Sequence, residues 1–142
     1  MAETAPQTGK QLARALVEAS NAHDVDRLVA LFAADYQGSD VAEASPQKGP
    51  DGVRTTFRRY LAAFPDLHLS IDRIALDGST LVIMWTGTGT HSGTYMRIPP
   101  TARQVVVRGV AVLTIDSGLV RRGTFIWDVA GFLRTIGLLP SL

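Results

Sequence analysis

The run Pro65-Asp-Leu-His-Leu-Ser-Ile-Asp-Arg-Ile-Ala-Leu-Asp-Gly78 decides the fold, because the apolar spacing changes there from about 3.6 residues to about 2. Leu67, Leu69 and Ile71 alternate with His68, Ser70 and Asp72, as in a strand with one buried face. Asp77-Gly78 supplies turn chemistry before a long strand from about Thr80 to His91. Thr101 to Ile115, with Val105, Val107 and Val110 to Leu113, reads as a third strand. Asp116-Ser-Gly118 turns the chain into a fourth, which ends near Asp128 ahead of a short terminal helix. Strands joined in this way form an antiparallel meander.

Upstream of Pro65 the spacing is helical. Thr8 and Gln11 are placed as a capping box for a helix over residues 9–21, with Leu12, Leu16 and Ala19 on one face. Asp24 caps a second helix whose stripe is Val25, Leu28, Leu31 and Phe32, and which is expected to end near Asp35. Tyr36 to Lys48 reads as a short strand and loop. Gly-Pro-Asp-Gly at 49–52 opens a third helix, with Val53, Phe57, Tyr60, Leu61 and Phe64 inward, and Pro65 stops it. Three helices followed by four or more strands make an α+β chain with segregated elements. A strongly curved sheet around those helices would form a cone with a deep apolar cavity. Residues 1–142 are read as one domain, with residues 1–8 disordered.

Composition narrows the function. Fourteen basic against thirteen acidic residues leave a net charge of +1, so no strong field invites nucleic acid. The longest apolar runs, such as Leu81 to Trp85, are too short to cross a membrane, and residues 1–8 show no export pattern, so a cytoplasmic protein is expected. The chain has no cysteine, and its three histidines are scattered, which argues against any metal. Gly87-Thr-Gly-Thr-His-Ser-Gly93 is glycine-rich but lies in and at the end of a strand, so it offers no phosphate cradle. No cofactor is expected.

Candidate chemistry centres on the closing stretch, where Asp128 sits among Trp127, Val129, Ala130 and Phe132. These neighbours are expected to strip water from the carboxylate, which penalises its charged form and suits it to proton transfer near neutral pH. Two roles are open to it: acid and base, or N-cap of the terminal helix. Strand parity sets Thr124, Ile126 and Asp128 on one face and Phe125 and Trp127 on the other, so Asp128 and Trp127 do not both enter one cavity if the strand stays regular. His91 shares a face with Trp85, Gly87 and Gly89 and is the candidate electrophilic partner. Trp85, Tyr36, Phe57, Tyr60 and Trp127 are candidates to line a pocket for a flat ligand, with ordinary core packing as the alternative. The loop Tyr95 to Pro100 is a candidate lid carrying Met96 and Arg97. A triad of Ser92, His91 and Asp128 exists only on paper, since adjacent strand residues face opposite ways.

With these residues in view, the chain resembles the SnoaL-like polyketide cyclases of the nuclear-transport-factor-2-like fold. The resemblance rests on Trp85 to Gly93, Pro99-Pro-Thr101, Gly109, Gly118 and Asp128-Val-Ala-Gly-Phe-Leu-Arg-Thr-Ile-Gly137, and extends to Pro65-Asp-Leu-His and Gly49 to Arg54. It implies three helices packed on a strongly curved, mostly antiparallel sheet. The pocket would bind a polycyclic or aromatic ketone or ester and close a ring by cofactor-free aldol chemistry, with Asp128 as acid and base. It departs from the family at Ser39, Thr114 and Thr124. Those departures motivate a rival reading, a non-catalytic binding or assembly module. An epoxide hydrolase, hydroxylase or isomerase would use the same cavity, and ring or epoxide hydration would need a second carboxylate from Asp72 or Asp40. The valine-rich strand from Val105 to Val112 is expected to pair with another copy, giving a homodimer or tetramer.

Overall fold

The computed structural model describes residues 8–142. The expected disorder at the N-terminus therefore lies outside the described residues, except at Thr8. Thr8 caps α1 (Gly9–Asn21) through the reciprocal box read from sequence, its hydroxyl accepting from the Gln11 backbone N–H at 3.1 Å. α2 (Val25–Val29) is capped by Asp24, and α3 (Gly49–Ala63) carries Pro50 in its first turn, where no backbone donor is needed.

The second helix is shorter than its apolar stripe predicts. The chain turns at Ala30 and enters β1 (Phe32–Asp40), so Phe32 is a strand residue and Tyr36 to Asp40 is part of the sheet. Pairing overrides local periodicity here: β1 lies parallel to β6 (Leu119–Trp127) and antiparallel to the two-residue β2 (Gln47–Lys48). The remaining strands, β3 (His68–Asp77), β4 (Thr80–Thr90) and β5 (Gln104–Asp116), form the expected meander with β6. The sheet order is β2-β1-β6-β5-β4-β3, and α4 (Val129–Thr135) closes the chain. Register shifts at Ile71/Arg73 and Thr114/Ile115 bend a sheet that curves around the helices.

Two apolar clusters occupy the concave side. One joins α1, α2 and α3 to the sheet through residues such as Leu12, Leu81 and Leu113, each of which contributes about 1.5–3 kcal/mol when fully buried. The second gathers Phe64, Tyr95, Trp127, Phe132 and Ile136. Glycine shapes the wall between strands at one decisive place. Gly109 pairs with Trp85, and a β-carbon at Gly109 would overlap the indole ring, so the tryptophan lies across β5 only because that side chain is absent.

Candidate functional site

Between the helices and the sheet lies a cavity of about 190 Å³. Its walls are almost wholly apolar: Phe57 and Phe64 from the α3 region, Ile83 and Trp85 from β4, Phe125 and Trp127 from β6, Phe132 from α4. Gly87 and Gly89 of β4 also line it, and side chains of Trp85 and Leu69 pack over the first and Phe64 over the second. Four of the aromatic candidates, Phe57, Tyr60, Trp85 and Trp127, line this cavity.

Among the described residues one carboxylate reaches this space. Asp40, the last residue of β1, is 6% exposed and lines the cavity. Its Oδ1 accepts from the Ala42 backbone N–H at 2.9 Å, and its Oδ2 accepts from the Tyr60 hydroxyl at 2.6 Å. The Tyr60 oxygen in turn accepts from the Trp127 indole N–H at 3.0 Å. Among the described residues no arginine, lysine or histidine pairs with Asp40. Burial, and then the charge of Asp40, push the Tyr60 phenol far above its ordinary range, so Tyr60 stays a proton donor. The arrangement is a desolvated acid with hydrogen bonds and no counter-ion, facing a hollow lined by rings, which suits it to accept and return a proton.

Asp128 does not occupy that place. Its side chain is exposed, its Oδ1 accepts from the Gly131 N–H at 2.8 Å, and it caps α4. The physical reason is the parity of β6: Phe125 and Trp127 point into the cavity, so Thr124, Ile126 and Asp128 point out. His91 is fully buried but lies behind the cavity wall, between the rings of Phe64 and Phe132. Its Nδ1 is 3.0 Å from the Thr101 hydroxyl and its Nε2 has no hydrogen-bond partner. Burial lowers its pKa, so the ring is neutral at neutral pH.

Three further expectations are corrected. Tyr36 is a core residue, its hydroxyl donating to Gln47 Oε1 at 2.7 Å, and it fits there because Gly38 and Gly123, paired across β1 and β6, have no side chains in its way. Met96 is 43% exposed at the tip of a turn outside the cavity. Asp72 accepts from the Thr86 hydroxyl at 2.7 Å on the exposed side of the sheet, and so supplies no second carboxylate. Sequence reasoning weighed Asp40 only as a helper. Its signal was present in the spacing Phe32, Tyr36, Asp40, the buried positions of β1, within a stretch read as a helix end followed by a short strand and loop.

The model of the SnoaL-like polyketide cyclases matches residues 10–136. This chain belongs to that family. The fold of this SnoaL-like chain recurs in solved structures. TsrD from Streptomyces laurentii is 25% identical, with 96% of this chain and 100% of TsrD covered and a TM-score of 0.85. AclR from Streptomyces galilaeus, a candidate hydroxylase, is 26% identical, with 94% of this chain and 83% of AclR covered and a TM-score of 0.83. IdmH from Streptomyces antibioticus, a candidate polyketide cyclase, shares the fold at 23% identity and a TM-score of 0.81, with 92% of this chain and 99% of IdmH covered. No curated protein matches this SnoaL-like chain. Among its described residues no helix is long and apolar enough to cross a membrane, and no group of three or more potential ligands could hold a metal ion.

Proposed function

We propose that this chain is a cofactor-independent acid/base enzyme of the polyketide-cyclase type, with Asp40 in the role that the sequence suggested for Asp128. The observation that carries this reading is one buried carboxylate, without a basic partner among the described residues, in an almost wholly apolar cavity. The substrate is a hydrophobic aromatic ketone or ester. An apolar void of about 150 Å³ accommodates benzene, so the space here encloses about one ring system, and the rest of a larger ligand extends beyond it. Asp40 takes the proton from carbon next to a carbonyl and becomes the neutral acid. The enolate carbon adds to a second carbonyl carbon of the same ligand, forming the new carbon–carbon bond. The alkoxide then takes the proton back from Asp40, which returns to its starting state.

The test compares Asp40→Asn with Asp128→Asn on an aromatic keto-ester able to close a ring, with product followed by mass spectrometry. Turnover is expected to fall by about 10²–10⁴ in Asp40→Asn with ligand affinity little changed, and to be unaltered in Asp128→Asn. Equal turnover by Asp40→Asn and the unaltered protein removes Asp40 from the mechanism. Ligand binding without any turnover by the unaltered protein favours the non-catalytic module. The same reading extends to assembly: the outer sheet face, apolar and exposed, supplies the pairing surface of a homodimer.

A further inference from the structure

Side-chain hydrogen-bond donors on the cavity wall are few, and most are spent. Ser20 donates to the Leu16 carbonyl at 2.8 Å, Tyr60 to Asp40, and Trp127 to Tyr60. Thr88 is an exposed residue of β4. The polar wall residues that remain are Gln47 and Thr56, both buried, and among the described residues neither the Gln47 Nε2 nor the Thr56 hydroxyl makes a hydrogen bond. Only His91 Nε2 and the Tyr95 hydroxyl are at once sealed off and unpartnered there, so the free donors of Gln47 and Thr56 keep open surface.

Strand pairing sets Gln47 beside the acid. Gln47 is opposite Gly38, and the alternation of β1 puts Tyr36, Gly38 and Asp40 on one face, with Tyr36 and Asp40 buried. The Gln47 side chain therefore enters the concave side next to Asp40, whereas Lys48 is exposed. A β-carbon at Gly38 would overlap the Tyr36 hydroxyl, so its absence leaves room for that hydroxyl to reach Gln47 Oε1, 2.7 Å away. Burial, and then the charge of Asp40, push the Tyr36 phenol above its ordinary range, so Tyr36 stays a donor and requires the amide oxygen as acceptor. That bond settles which end of the amide is which. The oxygen is held on Tyr36, and the N–H bonds of Nε2 are left for another partner.

The backbone of Gln47 is held as firmly as its oxygen. Gly52 in the first turn of α3 packs on it so closely that a β-carbon there would stand 3.0 Å from Gln47 Cα. Thr56 follows one turn later on the same helix face. Gln47 and Thr56 form a common wall of the apolar cavity and of a polar cleft of about 290 Å³ shared with Glu43, Lys48 and Arg59. Of the two free donors Gln47 is the better defined, because a helix hydroxyl can turn back to the carbonyl four residues earlier, whereas Tyr36 fixes the amide.

We propose that Gln47 binds the ligand's carbonyl oxygen, its side-chain amide N–H donating from the β2 side of the cavity while Tyr36 acts through it as a positioning residue. This rests on the pocket reading given above and names the ligand group it selects: an acceptor oxygen next to an apolar ring. The ionised Asp40 has only acceptors to offer, so acid and amide sort the two parts of a keto group, the proton-bearing carbon toward Asp40 and the oxygen toward Gln47. A hydrocarbon of the same shape gives the amide no partner.

The test uses 1-indanone, isotope-labelled at its carbonyl carbon, and, as a control of the same shape without the oxygen, indane. Affinities are measured by calorimetry for the unaltered protein, Gln47→Met and Thr56→Val, and the carbonyl stretch of bound indanone is read by infrared difference spectroscopy. The unaltered protein is expected to bind indanone with its carbonyl stretch lowered. Gln47→Met keeps an unbranched side chain of similar length and should lose about ten-fold in indanone affinity, the equivalent of one ordinary hydrogen bond, with the stretch restored and indane affinity unchanged. Should Gln47→Met fail to fold, Tyr36→Phe combined with Gln47→Met replaces it, since removing both partners strands no buried hydroxyl, and the same loss is expected. Indanone binding unchanged in these variants overturns the proposal, as does an equal loss for both ligands, which would mark packing alone. A carbonyl shift abolished by Thr56→Val but not by Gln47→Met overturns it too, and assigns the donor to Thr56. In the unaltered protein the Gln47 side-chain amide proton resonances should move with indanone and not with indane; resonances indifferent to both ligands place the amide toward the polar cleft and overturn the proposal. If the unaltered protein binds neither ligand, the pocket reading itself falls and takes the proposal with it.

Discussion

Two adjacent residues, Trp127 and Asp128, show how one bond along a strand separates a buried group from an exposed one. Trp127 enters the cavity and donates to Tyr60, whereas Asp128 turns outward and spends its carboxylate on the first turn of α4. Apolar neighbours in sequence are thus a poor guide to burial in a strand, and parity is a better one. His91 carries the opposite risk, being fully buried with one ring nitrogen unpartnered. Its pKa is lowered in the fold by burial, from an ordinary value of 6.5. As pH drops through about 6.5 the unfolded chain binds a proton that the folded chain refuses, so the folded state loses stability there and keeps losing it down to the lowered folded value. Above that window the histidine contributes no slope. Urea midpoints measured from pH 7.5 down to pH 5 should fall for the unaltered protein and fall less for His91→Phe; parallel curves would show that His91 is not the group responsible.

At the level of elements, what was legible depended on whether the signal was local. The capping box fixed the start of α1, and Pro50 and Pro65 bracketed α3, because each acts on its own neighbours. Alternation gave β3 to β6 in order, and Asp77-Gly78 and Asp116-Ser-Gly118 gave their turns. Only the second half of β1 was legible, as the short strand read from Tyr36; its start was missed because Leu31 and Phe32 suit a helix stripe and a strand face equally well, and the pairing that settles the matter is long-range: Phe32 with Val120, Asp40 with Phe125. Asp40 was undervalued for the same reason. Glycines were legible as types and not as roles, since the overlap of Gly109 with the Trp85 ring depends on register. Gly109→Ala should force that ring aside, costing about 1–3 kcal/mol by overpacking and narrowing the cavity. A lower urea midpoint, a shifted tryptophan emission and weaker binding of 1-indanone are expected together; an unchanged emission spectrum would mean that Trp85 does not depend on the gap.

For the whole molecule, the curved sheet has two faces with separate tasks. The concave face holds the cavity, and the convex face carries Met84, Val106, Val112 and Ile126, which are 48%, 66%, 38% and 49% exposed. Register makes these residues neighbours: Met84 pairs with Val110 and Val110 with Ile126, while Val82 pairs with Val112 and Val112 with Thr124. Two adjacent rows of side chains, apolar except for Thr124, on one open face form a patch that water disfavours. A net charge of +1 does little to keep copies apart. Light scattering is accordingly expected to report twice 15.3 kDa, with little dependence on salt because the contact is apolar. Ile126→Lys places a charge in the middle of the patch and should shift the mass to 15.3 kDa. Because Ile126 and Trp127 point to opposite faces, the resulting monomer should still bind 1-indanone. A single species of 15.3 kDa from the unaltered protein at micromolar concentration would remove the dimer, and loss of binding in Ile126→Lys would show that the two faces are coupled through the strand rather than independent.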